Sequence, residues 1–229
     1  MAKLQLAIVP VTPFQQNCAV LWEATTRRGA VIDPGGEAPR ILDVLRNHGV
    51  VAESILLTHG HLDHAGGAEA LRRLLAAEGR SVPIVGPDRR DQFLLDGIAA
   101  QARAYDLADL DNARPERWLV EGDQVAIGGV AFHVLHCPGH TPGHVAFFAP
   151  TLRLAVLGDV LFQGSIGRTD FPYGDHAALL RSIAEKVLPL GDDVRFLCGH
   201  GPASTIGAER QGNPFLAELR TATTTASHT

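Results

Sequence analysis

Seven consecutive residues, Thr58-His59-Gly60-His61-Leu62-Asp63-His64, hold three histidines and an aspartate. Imidazole nitrogen and carboxylate oxygen are donors that suit zinc or iron. His59 and His61 stand two apart just after an apolar stretch. In extended chain such positions face the same way, so both rings can converge on one ion. Asp63 and His64 fall where the next helix should begin, and a turn there would aim them beside the first pair. No helix could bring positions i, i+2, i+4 and i+5 onto one face. So dense a run also makes a poor core and an odd surface. Gly60, Gly66 and Gly67 leave room for backbone to crowd around the donors.

Three later apolar stretches end in a similar way. Residues 130–136 run into Cys137-Pro138-Gly139-His140-Thr141-Pro142-Gly143-His144, residues 152–157 into Gly158-Asp159, and residues 194–198 into Gly199-His200-Gly201-Pro202. One Gly-Asp or Gly-His alone reads as turn chemistry. Three of them, added to the first motif, read as further ligands mounted on strand ends, where a rigid sheet can hold metal geometry. Cys137 and Cys198 lie close by, but free cysteine commonly serves as a small buried hydrophobe, so they are set aside as ligands. His133 and His136 fall on opposite faces of one strand. His48, at a helix end, and His228, in the tail, are expected at the surface.

The elements that must position these groups follow from periodicity. Residues 4–9, 18–23 and 30–33 read as strands, with a hairpin turn at 25–29. Ile41, Leu42, Leu45 and His48 keep helical spacing over 38–48, and Gly49 follows as a stop. A strand at 54–58, a loop at 59–67, a helix at 68–77, a strand at 82–86 and a mostly helical stretch at 88–110 come next. Residues 124–127 and 130–136 flank Gly128-Gly129, a strong hairpin signal. Strands at 143–148 and 152–157, a helix at 175–187 and a strand at 194–198 complete the series. This is a mixed α/β order, and two layers of sheet with helices outside would bury it.

The 229-residue chain is 45% hydrophobic and 20% charged, enough for a packed core. It reads as one continuous domain over residues 1–220, followed by a Thr/Ala/Ser-rich tail at 221–229 expected to be disordered. A net charge of −5 argues against a nucleic-acid or membrane-surface binder. No run of about 18 apolar residues suggests a membrane span. The first ten residues are too short and too broken for a secretory signal. Three cysteines without a Cys-x-x-Cys pair suggest a reducing compartment, so a cytoplasmic location is expected. Oligomeric state leaves no signal in the sequence.

The Thr-His-x-His-x-Asp-His run, followed by single His, Asp and His residues, resembles the metallo-β-lactamase superfamily from about Asp33 to Pro202. The resemblance implies an αββα sandwich, two mixed β-sheets flanked by helices, with metals at one edge. It implies that His59, His61 and His140 hold one metal, that Asp63, His64 and His200 hold a second, and that Asp159 bridges them. Asp33 matches an aspartate that supports the metal loops from behind; His144 is a candidate for the same role. The implied cofactors are two divalent ions, zinc first, with iron or manganese as alternatives.

Within that superfamily the chain is most similar to short glyoxalase II-like (hydroxyacylglutathione hydrolase-like) enzymes. The residues that carry this are Pro138 to His144, Gly158-Asp159-x-Leu161-Phe162 and Gly199-His200-Gly201-Pro202. The activity implied is hydrolysis of S-lactoylglutathione or a similar hydroxyacyl thioester. A hydroxide bridging the two metals would attack the carbonyl, with Asp63 orienting it. The implied partner is a small thioester, glutathione-derived if the match is close. Full-length glyoxalase II carries a C-terminal helical domain that helps hold glutathione; here a short tail follows His200. That family also places a Tyr two residues after a Lys or Arg on the loop beyond the bridging aspartate. Here the loop reads Gly167-Arg168-Thr169-Asp170. Arg168 is a candidate carboxylate clamp, with an ion pair to Asp170 as the plain alternative, and Tyr173 is a candidate pocket residue. Rival readings are a mono-iron persulfide dioxygenase of the same fold, which Gly167-Arg168-Thr169-Asp170-Phe171 also resembles. A lactonase, a β-lactamase, a phosphodiesterase and a non-catalytic module that kept the fold are the others.

Overall fold

Alternation along the strands divides the apolar residues between two faces of each sheet, and that division builds the layers. The computed structural model describes residues 3–217 and 219, so the 221–229 tail and His228 lie outside the described residues. The first sheet has β1 (Leu4–Val11), β2 (Gln16–Glu23), β3 (Arg28–Ile32), β4 (Val51–Leu56) and β5 (Ile84–Val85), in spatial order β1-β2-β3-β4-β5. The first two pairings are antiparallel and the last two parallel. The second sheet is built from β6 (Gln124–Ile127), β7 (Val130–His136), β8 (Val145–Ala149), β9 (Leu154–Val156), β12 (Arg195–Leu197) and β13 (Ser204–Thr205), in order β13-β12-β9-β8-β7-β6. Only the β9–β12 pairing is parallel. A hairpin of β10 (Leu161–Phe162) and β11 (Ser165–Ile166) stands apart. Gly128 and Gly129 join β6 to β7 with φ of 56° and 79°, the left-handed pair that a type I′ turn demands.

Consecutive residues of one strand go to different cores, as the pleat requires. In β4, Ile55 packs outward with Ile41 and Leu45 of α1 (Ala38–Asn47), Leu71 and Leu75 of α3 (Ala68–Ala77), and Leu95 and Ile98 of α4 (Gln92–Ala104). Its neighbour Leu56 packs inward with Leu21 and Ile32 against Phe132, Val145 and Phe147 of the second sheet. On the far side, Ala146, Phe148 and Phe196 meet Leu179 of α5 (His176–Ser182) and Ile206 of α6 (Ile206–Gly212). All five residues of β8 are buried. This is why that strand reads as an unbroken apolar run: it is covered on both faces. The layers are therefore helix, sheet, sheet, helix, the expected αββα sandwich of two mixed sheets.

Several local expectations shift. The 59–67 loop contains a one-turn helix, α2 (Leu62–Ala65), too short to show a period. The 175–187 helix is α-helical only to Ser182 and continues as a π turn over Ile183–Val187. The 88–110 stretch is α-helical over Gln92–Ala104, and the 82–86 strand pairs at only two residues. No described helix is long and apolar enough to cross a membrane.

Candidate metal centre

Every candidate ligand sits just beyond a strand end or on the turn that follows. His59 and His61 leave β4, and α2 carries Asp63 and His64; His140 follows β7, Asp159 follows β9, and His200 follows β12. The two sheets bring these five segments to one edge. There Nε2 of His59 lies 3.1 Å from Nδ1 of His61, which lies 3.0 Å from Nε2 of His140. Oδ2 of Asp63 lies 3.3 Å from Nε2 of His200. Asp159 stands between the groups. Its Oδ1 is 3.3 Å from Nε2 of His64, and its Oδ2 is 3.5 Å from Nε2 of His140 and 3.6 Å from Nε2 of His200. The sequence-predicted ligands therefore form two donor clusters, His59/His61/His140 and Asp63/His64/His200.

The outer nitrogen of each of these five imidazoles is occupied. Nδ1 of His140 donates to the Arg168 carbonyl at 2.8 Å and Nδ1 of His200 to the Phe14 carbonyl at 3.2 Å. Nδ1 of His64 faces Oδ2 of Asp33 at 2.9 Å. Nδ1 of His59 lies 3.1 Å from the Thr58 hydroxyl, and Nε2 of His61 lies 2.9 Å from the Tyr173 hydroxyl. A carbonyl or carboxylate partner fixes the proton on the outer nitrogen, so the inner nitrogen presents its lone pair. The Thr58 hydroxyl in turn donates to Asp33 Oδ2 at 2.6 Å. Asp33, also within reach of a cation by distance alone, thus has its oxygens taken by protein donors and acts as support for His59 and His64 together. His144 accepts the Asp159 backbone N–H on Nε2 at 3.0 Å and stacks on His59 at 4.8 Å.

Two features fit cations at the centre. Lone pairs of neutral imidazoles repel when aimed at each other from about 3 Å, and a positive ion between them removes the conflict. In addition, His64 Nε2 and Asp159 Oδ1 are buried without any hydrogen-bond partner, although they face each other across 3.3 Å. Such orphans are costly unless something else satisfies them. Electrostatics agree. Burial, and then neighbouring imidazoles, push His59 well below the usual histidine range, and His61 down to about 3. Burial would also lower His64, but Asp159 and Asp63 outweigh it and hold that imidazole well above its usual value. Burial would raise the Asp159 carboxyl, but His64 outweighs it and keeps it ionised. A proton on His64 stands in where a cation belongs.

A cavity of about 460 Å³ opens over the cluster, walled by Phe14, Tyr105, Phe162, Phe171 and Tyr173. A comparable groove of about 530 Å³ between β1 and the β12–β13 edge is mainly apolar and holds none of the candidate ligands. Arg168 lies on the wall of the first cavity, but Nε and Nη2 of its guanidinium bond Asp170 at 2.7 and 2.6 Å, and it stacks over Phe171 at 4.5 Å. The ion pair weighed for it is the arrangement found. Cys137 and Cys198 are buried, with thiols pushed up to about 12 and about 11 chiefly by burial. Cys198 uses its Sγ to hold the carbonyls of His200 and Pro202.

Two contributors gave no sequence signal. Asn17 of β2 donates from Nδ2 to the Cys198 and Gly201 carbonyls at 3.1 and 2.8 Å and so fixes the His200 turn. Asp91, in the stretch at 88–110 that reads only as mostly helical, is wholly buried behind the ligand loops.

Comparison with known proteins agrees with this geometry. The family model of the metallo-beta-lactamase superfamily matches residues 11–200. A relative from Haemophilus influenzae, hydroxyacylglutathione hydrolase GloC, is 44% identical over 93% of this chain and 98% of its own. The crystal structure of BLEG-1 B3 metallo-beta-lactamase superposes with a TM-score of 0.83 at 35% identity, covering 93% of this chain and all of that one. That of TTHA1623 in a di-iron-bound form gives 0.80 at 38% identity, with 92% and 100% covered. Donor clusters, layered fold and full-length likeness together imply a dinuclear metal site, and the chain belongs to the metallo-beta-lactamase superfamily.

Proposed function

We propose that this metallo-hydrolase cleaves hydroxyacyl thioesters of the S-lactoylglutathione kind. His59, His61 and His140 would hold one metal, Asp63, His64 and His200 the other, and Asp159 both. The reading rests on the complete pair of donor clusters joined at Asp159, in a chain 44% identical along nearly its whole length to GloC. Zinc suits this nitrogen and oxygen set, and so does iron, the metal named for TTHA1623.

Two such cations, when bound, supply Lewis acidity and bring the pKa of water from 15.7 towards about 7. Asp63 has its carboxyl held below the usual range: burial would raise it, but His64 and the His200 contact outweigh that. It therefore stays an ionised acceptor that can hold and orient the attacking water. The aromatic wall of Phe14, Tyr105, Phe162 and Phe171 offers the acyl thioester an apolar surface to pack against. No serine or cysteine nucleophile is needed, in keeping with the raised, buried thiols.

The test is metal analysis of purified protein together with a substrate panel. About two metals per chain and metal-dependent turnover of S-lactoylglutathione are expected. A second reading, β-lactam ring opening, draws on the likeness to BLEG-1; a chromogenic cephalosporin in the same panel separates the two. One iron per chain with oxygen uptake on a glutathione persulfide would overturn the hydrolase reading.

A further inference from the structure

Asp91 is fully buried and belongs to neither donor cluster. It ends a short 3-10 turn, Arg89–Asp91, just before α4. Its Oδ2 accepts the Gly60 backbone N–H at 2.9 Å and the Thr141 hydroxyl at 2.7 Å, and its Oδ1 accepts the Gly143 backbone N–H at 2.6 Å. Gly60 lies between His59 and His61, and Thr141 follows His140. One carboxylate therefore straps together the two loops that carry all three donors of the first cluster. Packing gives independent support. A Cβ on Gly143 would lie 2.6 Å from Asp91 N and 2.7 Å from its Oδ1; one on Gly60 would lie 3.0 Å from the Asp91 carbonyl oxygen and 2.8 Å from Leu94 Cβ. The glycines of both loops are thus required by the close approach of the Asp91 turn and the first turn of α4. Asp88 strengthens the strap by donating its backbone N–H to the Gly143 carbonyl at 3.1 Å.

We propose that Asp91 is a positioning residue for the first metal, setting the spacing between His59/His61 and His140 through Gly60, Thr141 and Gly143. The proposal rests on His59, His61 and His140 being ligands of one cation; it does not depend on which substrate is hydrolysed. Hydrogen bonds to an ionised carboxylate are roughly twice as strong as neutral ones. In Asp91→Asn one oxygen becomes an N–H₂ that must face an existing donor. Thr141→Val removes a single donor, and Thr141→Ser keeps it.

The experiment titrates metal-stripped full-length protein with Co²⁺ and follows its d–d absorption, with far-UV circular dichroism to check the fold. The site with three imidazoles and the site with two imidazoles and Asp63 differ in their spectra. Asp91→Asn and Thr141→Val are expected to weaken the three-nitrogen site by about tenfold or more, with a smaller effect on the other, while Thr141→Ser behaves as wild type. If Asp91→Asn does not fold, the Thr141→Val and Thr141→Ser pair carries the same comparison. Wild-type affinity and spectrum in the variants, or equal weakening of both sites, would overturn the proposal. Unchanged two-step uptake in His59→Ala would overturn it at its premise. The readout is metal uptake, so failure of the thioester reading would leave this result standing.

Discussion

Asp33 and His64 are 31 positions apart in the chain, yet Oδ2 of the aspartate lies 2.9 Å from Nδ1 of the histidine, both buried. The same oxygen takes the Thr58 hydroxyl at 2.6 Å, and Oδ1 takes the Thr58 backbone N–H at 2.7 Å. Asp33 can reach this position because it leaves β3 with a left-handed φ of 51°, a conformation aspartate tolerates better than most residues. One carboxylate thereby orients His64 directly and His59 through Thr58, two rings assigned to different metals. Asp33→Ala should therefore lower metal content at both sites, with affinity falling about 10- to 100-fold, as for other supporting partners of metal ligands. Thr58→Val, which cuts only the branch to His59, should affect the first site alone. Equal retention of both metals in Asp33→Ala, by metal analysis after dialysis, would contradict this.

Metal removal should change how stability depends on pH. His64 is raised in the folded, metal-free protein because Asp159 and Asp63 outweigh its burial. Its contribution is fully present below the unfolded value of about 6.5 and is lost as pH rises through the raised folded value. Burial pushes His59, His61 and His144 the other way, so they cost stability as pH falls below about 6.5, where the unfolded chain gains protons that the folded one refuses. Metal-free protein should thus be most stable near neutrality and lose Tm on the alkaline side. Bound metal replaces the His64 proton, so the loaded protein should not show that alkaline loss. Thermal melts with and without a chelator check this, and parallel pH profiles would refute it.

The histidine-rich run was legible because four donors in six residues suit neither helix face nor core. The later ligands were legible because each closes an apolar stretch at a glycine. The mixed α/β order followed from apolar strand segments such as residues 54–58 and Val130–His136, and the layers from what such an order must bury. What escaped had no local period. β10, β11 and β13 are two residues long, and pairing of that length leaves no pattern in composition. Asp91 meets Gly60 and Thr141 from 31 and 50 positions away, two of its three partners being backbone amides. Bonds to backbone constrain shape and leave side-chain identity free, so spacing could not reveal them.

Gly199 is expected to be intolerant of any side chain. A Cβ there would overlap Oδ1 of Asp159 and lie 2.5 Å from Cε1 of His64. Neither neighbour can give way, because His64 is tied to Asp33 and the Asp159 backbone to His144. Gly199→Ala should abolish second-site metal binding and turnover. Gly212→Ala, with nothing within 4 Å of its Cβ at the end of α6, is the control and should leave both intact. Metal content of the two purified variants distinguishes a local clash from general sensitivity to alanine.

Arg168 and Asp170 form an exposed pair at the cavity wall. A substrate carboxylate that used Arg168 would have to displace Asp170. Asp170→Asn should then lower KM for S-lactoylglutathione by about two- to fivefold, the scale of one exposed ion pair. Arg168→Ala should raise KM without altering kcat, because the carbonyl that orients His140 belongs to the backbone and stays. Unchanged KM in both variants would remove the guanidinium from substrate binding.

Tyr173 meets His61 from the cavity side, its hydroxyl 2.9 Å from Nε2. His61 faces the other two imidazoles with Nδ1, so Nε2 carries the proton and donates to the tyrosine. The hydroxyl hydrogen is then free to meet substrate. Tyr173→Phe preserves the ring stacked on Phe171 at 5.3 Å and its edge contact with Phe93 at 5.4 Å, so packing should survive. It leaves a largely buried N–H without an acceptor, a loss on the order of 1–3 kcal/mol. If orienting His61 is the main role, first-site metal affinity should fall about tenfold or more, and kcat should fall with it at sub-saturating metal while KM holds. If the hydroxyl instead contacts the thioester, metal affinity should hold and KM should rise. The short distance to His61 favours the first outcome, and metal titration beside steady-state kinetics of the one variant decides between them.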